Sequence, residues 1–286
     1  MRNFKIITLI ALTIVAVIML FSGCTSEYET NTHKIDDDFK NITIDVDTED
    51  IIFLPTQDDM CKVVFYEKAS KKHTSIVENE ALVIKCENEE KWYQNIFNFG
   101  KSKITVYLPK NEYDNLTIES TTGDIKLENE FEFKSINIDL TTGDISFDKI
   151  QASEINLSIT TGDMELDNIN CSGNITLDST TGETELNNVN CKNLKSTSTT
   201  GEITLESVIA TEKIHIERST GDVEFDRMDA GEIFIETSTG DVEGSLLSDK
   251  IFIVDTSTGK KRVPETTSGG KCKITTSTGD IFINIE

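Results

Sequence analysis

Basic residues are scarce in this chain: 27 Lys and Arg stand against 51 Asp and Glu, a formal net charge of −24 over 286 residues. Such a surface repels nucleic-acid phosphates, so the balance argues against nucleic acid as a partner. It also lacks a basic patch large enough for an anionic membrane surface. With 3 Pro and 16 Gly the chain is neither collagenous nor linker-like. Histidine occurs only as His33, His73 and His215. No sequence signature joins any of them to a nucleophile. An apolar share of 37% excludes a disordered chain and is enough for a sizeable core. What is abundant is Thr, Ile, Asp and Asn, the residues of strands joined by tight turns.

A single long apolar run, Ile6 to Phe21, follows the basic residues Arg2 and Lys5 and ends in Ser22-Gly23-Cys24. Residues 1–23 read as a signal peptide. The cysteine after small residues resembles the lipobox of bacterial lipoproteins, which makes Cys24 the lipidated new amino terminus. Phe21 stands where that motif usually carries Leu, so an uncleaved transmembrane helix stays open as the alternative, although the run is short for one. Residues 24–34 then form the lipidated cysteine and a tether, part of a polar acidic stretch reaching Asp38. The expected location is the extracytoplasmic face of a cell membrane.

The most regular feature is a [Ser/Thr]-Thr-Gly tripeptide whose glycines are Gly123, Gly143, Gly162, Gly182, Gly201, Gly221, Gly240, Gly259 and Gly279, spaced by 19 or 20 residues. A fixed period of this size marks a solenoid. An acid follows every glycine except Gly259, which is followed by Lys260. Between glycines the apolar residues alternate as half-buried strands require: Ile145 and Phe147, then Ile155, Leu157 and Ile159. A third apolar position recurs at Ile150, Ile169, Val189, Val208, Met228 and Leu247, and is expected to point inward. The one-residue variation falls mainly between that position and the following strand, where a surface turn absorbs it without flipping the strand.

The leucine and asparagine ladder of leucine-rich repeats is missing, as is the Gly-Gly-x-Gly-x-Asp pattern of calcium-binding nonapeptide coils. The predicted fold is therefore all-β: a single-stranded parallel β-helix, or β-solenoid, with rungs of 19 to 20 residues, each about 4.8 Å above the last. Solenoid repeats occupy residues 116–286. Residues 35–115 lack the glycine turn but still contain strand patterns, such as 42–46, 63–66, 82–84 and 104–108, and are read as an N-terminal β cap that covers the first rung. The carboxyl-terminal run Ile281 to Ile285 shows no cap and is read as an open edge or a frayed end.

Ile104-Thr105-Val106-Tyr107-Leu108-Pro109, Leu116-Thr117-Ile118 and then Thr121-Thr122-Gly123-Asp124-Ile125 with its successors resemble the bacterial putative-adhesin family of β-strand-repeat proteins, a domain of unknown function. The likeness covers roughly residues 35–286. It implies a β-helix-like fold in a cell-envelope setting and brings no catalytic residues.

Cys171 and Cys191 stand one period apart, which stacking turns into about 5 Å between α-carbons. A disulfide and a reduced buried pair are both compatible with that spacing. The column of acids after the glycines suits weak Ca²⁺ binding or simple solvation, and no turn offers the dense oxygen set of a dedicated calcium loop. No cofactor is expected. Polysaccharide-active enzymes also use β-helices, but long insertions between rungs usually wall their clefts, and here the period never leaves 19 to 20 residues. Lys260-Lys261-Arg262-Val263-Pro264 breaks the acidic pattern, either to compensate acidic neighbours or to meet an anionic partner. The function expected is a non-catalytic surface protein held to the membrane by its lipid anchor, binding an envelope polymer or host-matrix protein. The alternative is an envelope-stress or signalling accessory that binds a membrane protein.

Overall fold

The computed structural model describes residues 28–58, 60–87 and 102–286; Cys24 and the signal sequence lie outside them. The described chain is entirely strands and turns and contains no helix. From Glu112 onward it winds as a parallel β-solenoid through β8 (Glu112–Thr122), β9 (Ile125–Leu127), β10 (Phe131–Thr142), β11 (Ile145–Asp148), β12 (Ile150–Thr161), β13 (Met164–Thr181), β14 (Thr184–Thr200), β15 (Ile203–Thr220) and β16 (Val223–Thr239).

Each rung follows one rule. After the glycine corner a short run turns two side chains inward, as Ile145 and Phe147 do. Six residues after the glycine the backbone takes a positive φ, at Asn129, Lys149, Asn168, Asn188, Ser207 and Arg227. Asn is favoured there because it tolerates the left-handed region. A second run then buries the third apolar position, Ile150, Ile169, Val189, Val208 or Met228. Register shifts follow it, for example between Asn170 and Asn174 and between Ala210 and Lys213. There the period changes from 19 to 20 residues without moving apolar residues off the inner face. Leu247 departs from the expectation. It is 41% exposed, and its neighbour Leu246 is buried opposite Met228, because β17 (Val242–Leu246) reaches the core one residue sooner.

Two boundaries differ from the sequence reading. The solenoid starts inside the segment assigned to the cap: β2 (Asn41–Val46) and β3 (Glu49–Thr56) pair in parallel with β8 and β9 and form a rung. Its corner, Asp47-Thr48-Glu49-Asp50, has Glu49 in the glycine slot and so escapes a search for glycines. Beyond that rung lie β6 (Ala81–Cys86) and β7 (Ser102–Pro109), parallel to β2 and β3. The true cap is antiparallel: β5 (His73–Glu78) on β6, β4 (Cys61–Lys68) on β7, and β1 (Tyr28–Ile35) on β4. Residues 28–34, expected as tether, are thus most of strand β1. Tyr28 stacks on Tyr66 with ring centroids 5.0 Å apart, and the Asn31 amide donates to Glu67 at 2.6 Å, which gives a polar segment a pairing edge.

The carboxyl end is also rearranged. After β17 the chain forms an outer rung, β18 (Lys250–Thr258) and β19 (Lys261–Arg262), and then returns beneath it. β20 (Gly270–Thr278) lies between β16 and β18, and β21 (Ile281–Ile285) lies between β17 and β19. The glycine corners therefore stack as Gly221, Gly240, Gly279, Gly259. The terminal strand, expected at an open edge, is an inner strand. Its rung carries Cys272, Ile274, Ile281 and Ile283, all at most 2% exposed, whereas the corresponding Phe252 and Val254 of β18 are only half-buried at the end of the stack.

Candidate functional site

The glycine corners are built by contact with the rung below. All nine repeat glycines have φ between 130° and 157°. At Gly182 a Cβ would lie 1.9 Å from the Gly162 carbonyl oxygen, so the corner needs glycine for close approach as well as for its φ. The backbone ladder continues through the turn, with Gly182 N–H donating to the Thr200 carbonyl at 3.1 Å.

The acids after the glycines serve the same ladder. The Asp144 N–H donates to Asp124 Oδ1 at 3.2 Å, that of Asp163 to Asp144 at 2.9 Å, and that of Glu183 to Asp163 at 2.8 Å. Above the two glutamates the series resumes from Asp222 to Asp241, Asp280 and Lys260. Each aspartate side chain accepts the amide of the next corner, a bond strengthened by its charge. The longer Glu183 and Glu202 make no such bond to the corner above among the described residues. Lys260 becomes intelligible here: it occupies the outermost corner, donates its own N–H to Asp280 at 2.7 Å, and has no described rung above it to serve.

Outward positions next to this ladder add further carboxylates. Glu165, Glu185, Glu224 and Glu243 fall in one column, and Asp148, Asp167, Glu206 and Asp226 in another. Burial, together with Glu224, Asp222 and Glu183, raises the Glu202 pKa. Two shallow grooves cross this face. One of about 230 Å³ is lined by Asp144, Asp163, Glu183, Glu165 and Glu185. Another, of about 670 Å³, includes Glu206, Glu224, Asp226, Glu243 and Phe282. Among the described residues no group of three or more His, Cys, Asp or Glu is placed to hold a metal ion.

A buried ionic cluster at the cap has no counterpart in the sequence reading. Glu49, wholly buried, receives Lys71 Nζ at 2.8 Å and the Thr48 amide at 2.8 Å. His73 Nδ1 lies 2.7 Å from Glu67, and its Nε2 lies 3.3 Å from Glu49, in ion-pair reach but out of line for a hydrogen bond. Phe65 stacks on the imidazole at 5.5 Å. Burial opposes ionisation of Glu49, but His73 and Lys71 beside it outweigh burial and bring the carboxyl down to about 2. Burial would lower His73, yet Glu49 and Glu67 raise it. His73 is held between two carboxylates, stacked against Phe65 and buried at 4% exposure, so the cluster is closed to solvent and ties the cap strands to the Glu49 corner. The only sequence trace of it was Glu49 in the glycine slot. Lys71, His73 and Glu67 reach it only through the antiparallel strands.

The cysteine pair is brought together: Cys171 and Cys191 are buried on adjacent rungs and both carry free thiols. Burial, reinforced by Cys171, pushes the Cys191 thiol up to about 12. A buried cation was likewise not foreseen. Arg218 points inward at 4% exposure, donates to Ser196 Oγ at 2.9 Å, and leaves Nε without a partner. Burial lowers its pKa to about 10. His215 faces outward beside Glu217 at 2.8 Å.

The model of the family described as Toastrack DUF4097 matches residues 39–285, most of the chain. The chain belongs to the Toastrack DUF4097 family. Its match begins at β2 and ends at β21, so the family unit comprises the solenoid together with most of its antiparallel cap. Among solved structures, a "putative adhesin" from Bacteroides fragilis is 17% identical, covers 92% of this chain and 100% of its own, and superposes with a TM-score of 0.51. A "putative adhesin" from Parabacteroides distasonis has 11% identity, coverage of 90% and 98%, and a TM-score of 0.39. A "putative lipid binding protein" from the same species has 15% identity, coverage of 90% and 97%, and a TM-score of 0.35. No curated protein matches the chain. The Bacteroides likeness shows that this Toastrack chain shares a β-solenoid architecture.

Proposed function

We propose that the chain is a non-catalytic, extracytoplasmic β-solenoid lipoprotein, fixed to the membrane through Cys24, that acts as an adhesin or protein-interaction scaffold. The observation that carries this reading is the uninterrupted series of corners from Gly123 to Gly240, each tied to the next by backbone hydrogen bonds and flanked by outward columns of carboxylates. Such a surface is rigid, periodic and shallow. It offers repeated weak contacts to an extended polymer or protein, so that avidity rather than a deep pocket supplies affinity. The names of the solved neighbours and the lipobox-like Ser22-Gly23-Cys24 favour the same setting. The cap cluster and buried cysteines are assigned to stability.

The test is a binding screen of the full-length protein in detergent against envelope polymers, host-matrix proteins and membrane-protein extracts, with and without calcium. Saturable binding to a polymer or matrix protein, weakened by replacing Glu165, Glu185 and Glu224 with Gln, is the expected result. Selective capture of one membrane protein with no polymer or matrix binding overturns the adhesive reading in favour of a signalling accessory. Turnover of a polysaccharide overturns the non-catalytic one.

A further inference from the structure

We propose that β18 is a homodimerisation edge, on which a second copy of this chain pairs antiparallel about Phe252. Among the described residues β18 pairs only with β20, so alternate residues along its outer side present backbone groups with no strand partner. Among the described residues from β15 onward, this is the one rung on which both outward positions are aliphatic. In register with Ile251 the earlier rungs carry Lys213, Glu232 and Lys271, and in register with Ile253 they carry His215, Phe234 and Lys273. Ile251 and Ile253 are 46% and 50% exposed. On the inner side, Phe252 and Val254 pack against the core but are only half-buried, because no described layer covers them. The opposite end of the solenoid has its antiparallel strands; this end has the surface on which one would sit.

The register selects the occupant. Antiparallel pairing centred on Phe252 sets Ile251 against Ile253 of the second copy, and Ile253 against its Ile251. These are two aliphatic cross-strand pairs on the outer face, with Phe252 meeting Phe252 on the inner one. The charge pattern agrees. The start of β18 is flanked by Asp249 and by the segment containing Glu265, which the Thr266 hydroxyl ties to the Lys250 carbonyl. Its end leads into exposed Lys260, Lys261 and Arg262. Antiparallel pairing brings each cationic end to the other copy's acidic start, whereas parallel stacking would lay like on like. The one unfavourable pair, Asp255 opposite Asp249, has Lys261 at hand, 3.5 Å from Asp255. The axis is two-fold and closes the assembly at two copies. It also puts the two amino-terminal caps at the far ends of a doubled rod; on the proposed Cys24 anchor, that is the geometry of a contact between two membranes.

The experiment uses the full-length protein in detergent micelles. Sedimentation velocity from sub-micromolar to the highest soluble concentration is expected to show a reversible monomer–dimer equilibrium, abolished by I251K/I253K. Both side chains face outward, so circular dichroism of that variant should match the parent. Register is read by oxidative cross-linking of differently tagged chains: Ile251→Cys mixed with Ile253→Cys is expected to give a heterodimeric disulfide at least tenfold more abundant than Ile253→Cys alone. A parent that stays monomeric, assembles beyond a dimer, or cross-links equally in both mixtures overturns the proposal. So does an I251K/I253K variant that keeps the parent's dimer fraction.

Discussion

Replacing Gly182 with Ala tests whether the corner is held by steric contact or merely tolerates glycine. Gly182 sits at φ 140°, a region in which an L side chain costs about 1–3 kcal/mol. Its new Cβ would stand 1.9 Å from the Gly162 carbonyl oxygen, about 1.5 Å inside the 3.4 Å of an ordinary contact. That oxygen belongs to backbone, so relief requires the rungs to separate. Separation lengthens the Gly162 N–H to Thr181 and Met164 N–H to Glu183 bonds that join these two rungs, both now 3.0 Å. With overpacking costs of about 1–3 kcal/mol, the expected loss is about 3–5 kcal/mol, on the order of 10 °C in the melting midpoint. Gly231 is the control: it has no positive φ, and its Cβ would meet the Glu212 carbonyl oxygen at 2.7 Å. Urea unfolding followed by circular dichroism should give Gly231→Ala less than half the loss of Gly182→Ala. Equal losses, or a Gly182→Ala protein within about 1 kcal/mol of the parent, would refute the corner argument.

Other outcomes follow from the ladders and the buried charges. Glu183→Asp restores a side chain of ladder length below the Glu202 amide and is expected to raise stability by about 0.5–1 kcal/mol in the same assay. Asp163→Asn, which keeps an acceptor, should be near neutral, and Asp163→Ala should lose about 1 kcal/mol. Arg218→Met removes a buried cation that has no carboxylate partner among the described residues and should leave stability unchanged or raise it by about 1–3 kcal/mol; a loss of that size would show that Arg218 is well compensated. Raised His73 binds its proton more tightly in the folded cap, so its contribution is fully present below the unfolded pKa near 6.5 and is lost as pH rises through the folded value. Glu49, lowered to about 2, contributes above its ordinary value and loses that contribution as pH falls toward about 2. Melting curves of the parent and His73→Gln across pH 5 to 9 should converge toward alkaline pH as the parent's advantage disappears. Cys191, at about 12, should resist iodoacetamide until the chain unfolds, and then react without reductant.

The repeat, the inward apolar positions and the glycine corners were legible in sequence because a parallel solenoid repeats one local geometry. Each rung meets the same neighbours, so the same residue types recur at one spacing. Ile145, Phe147, Ile155 and Leu157 could therefore be placed from alternation alone, and all are buried. What broke the repeat was not legible. Glu49 in a glycine slot hides a rung whose corner is held by Lys71 and His73 from the antiparallel cap, and those contacts depend on which strands pair. The polar segment 28–34 becomes strand by pairing with β4, although its composition reads as a tether. The last two rungs exchange places, and the repeat could not show this because it says only that each rung can stack on another. Lys260 is the clearest case: the sequence determined that it departs from the acidic column, and only the tertiary order showed that its corner is the outermost, where no described amide above needs a carboxylate to receive it.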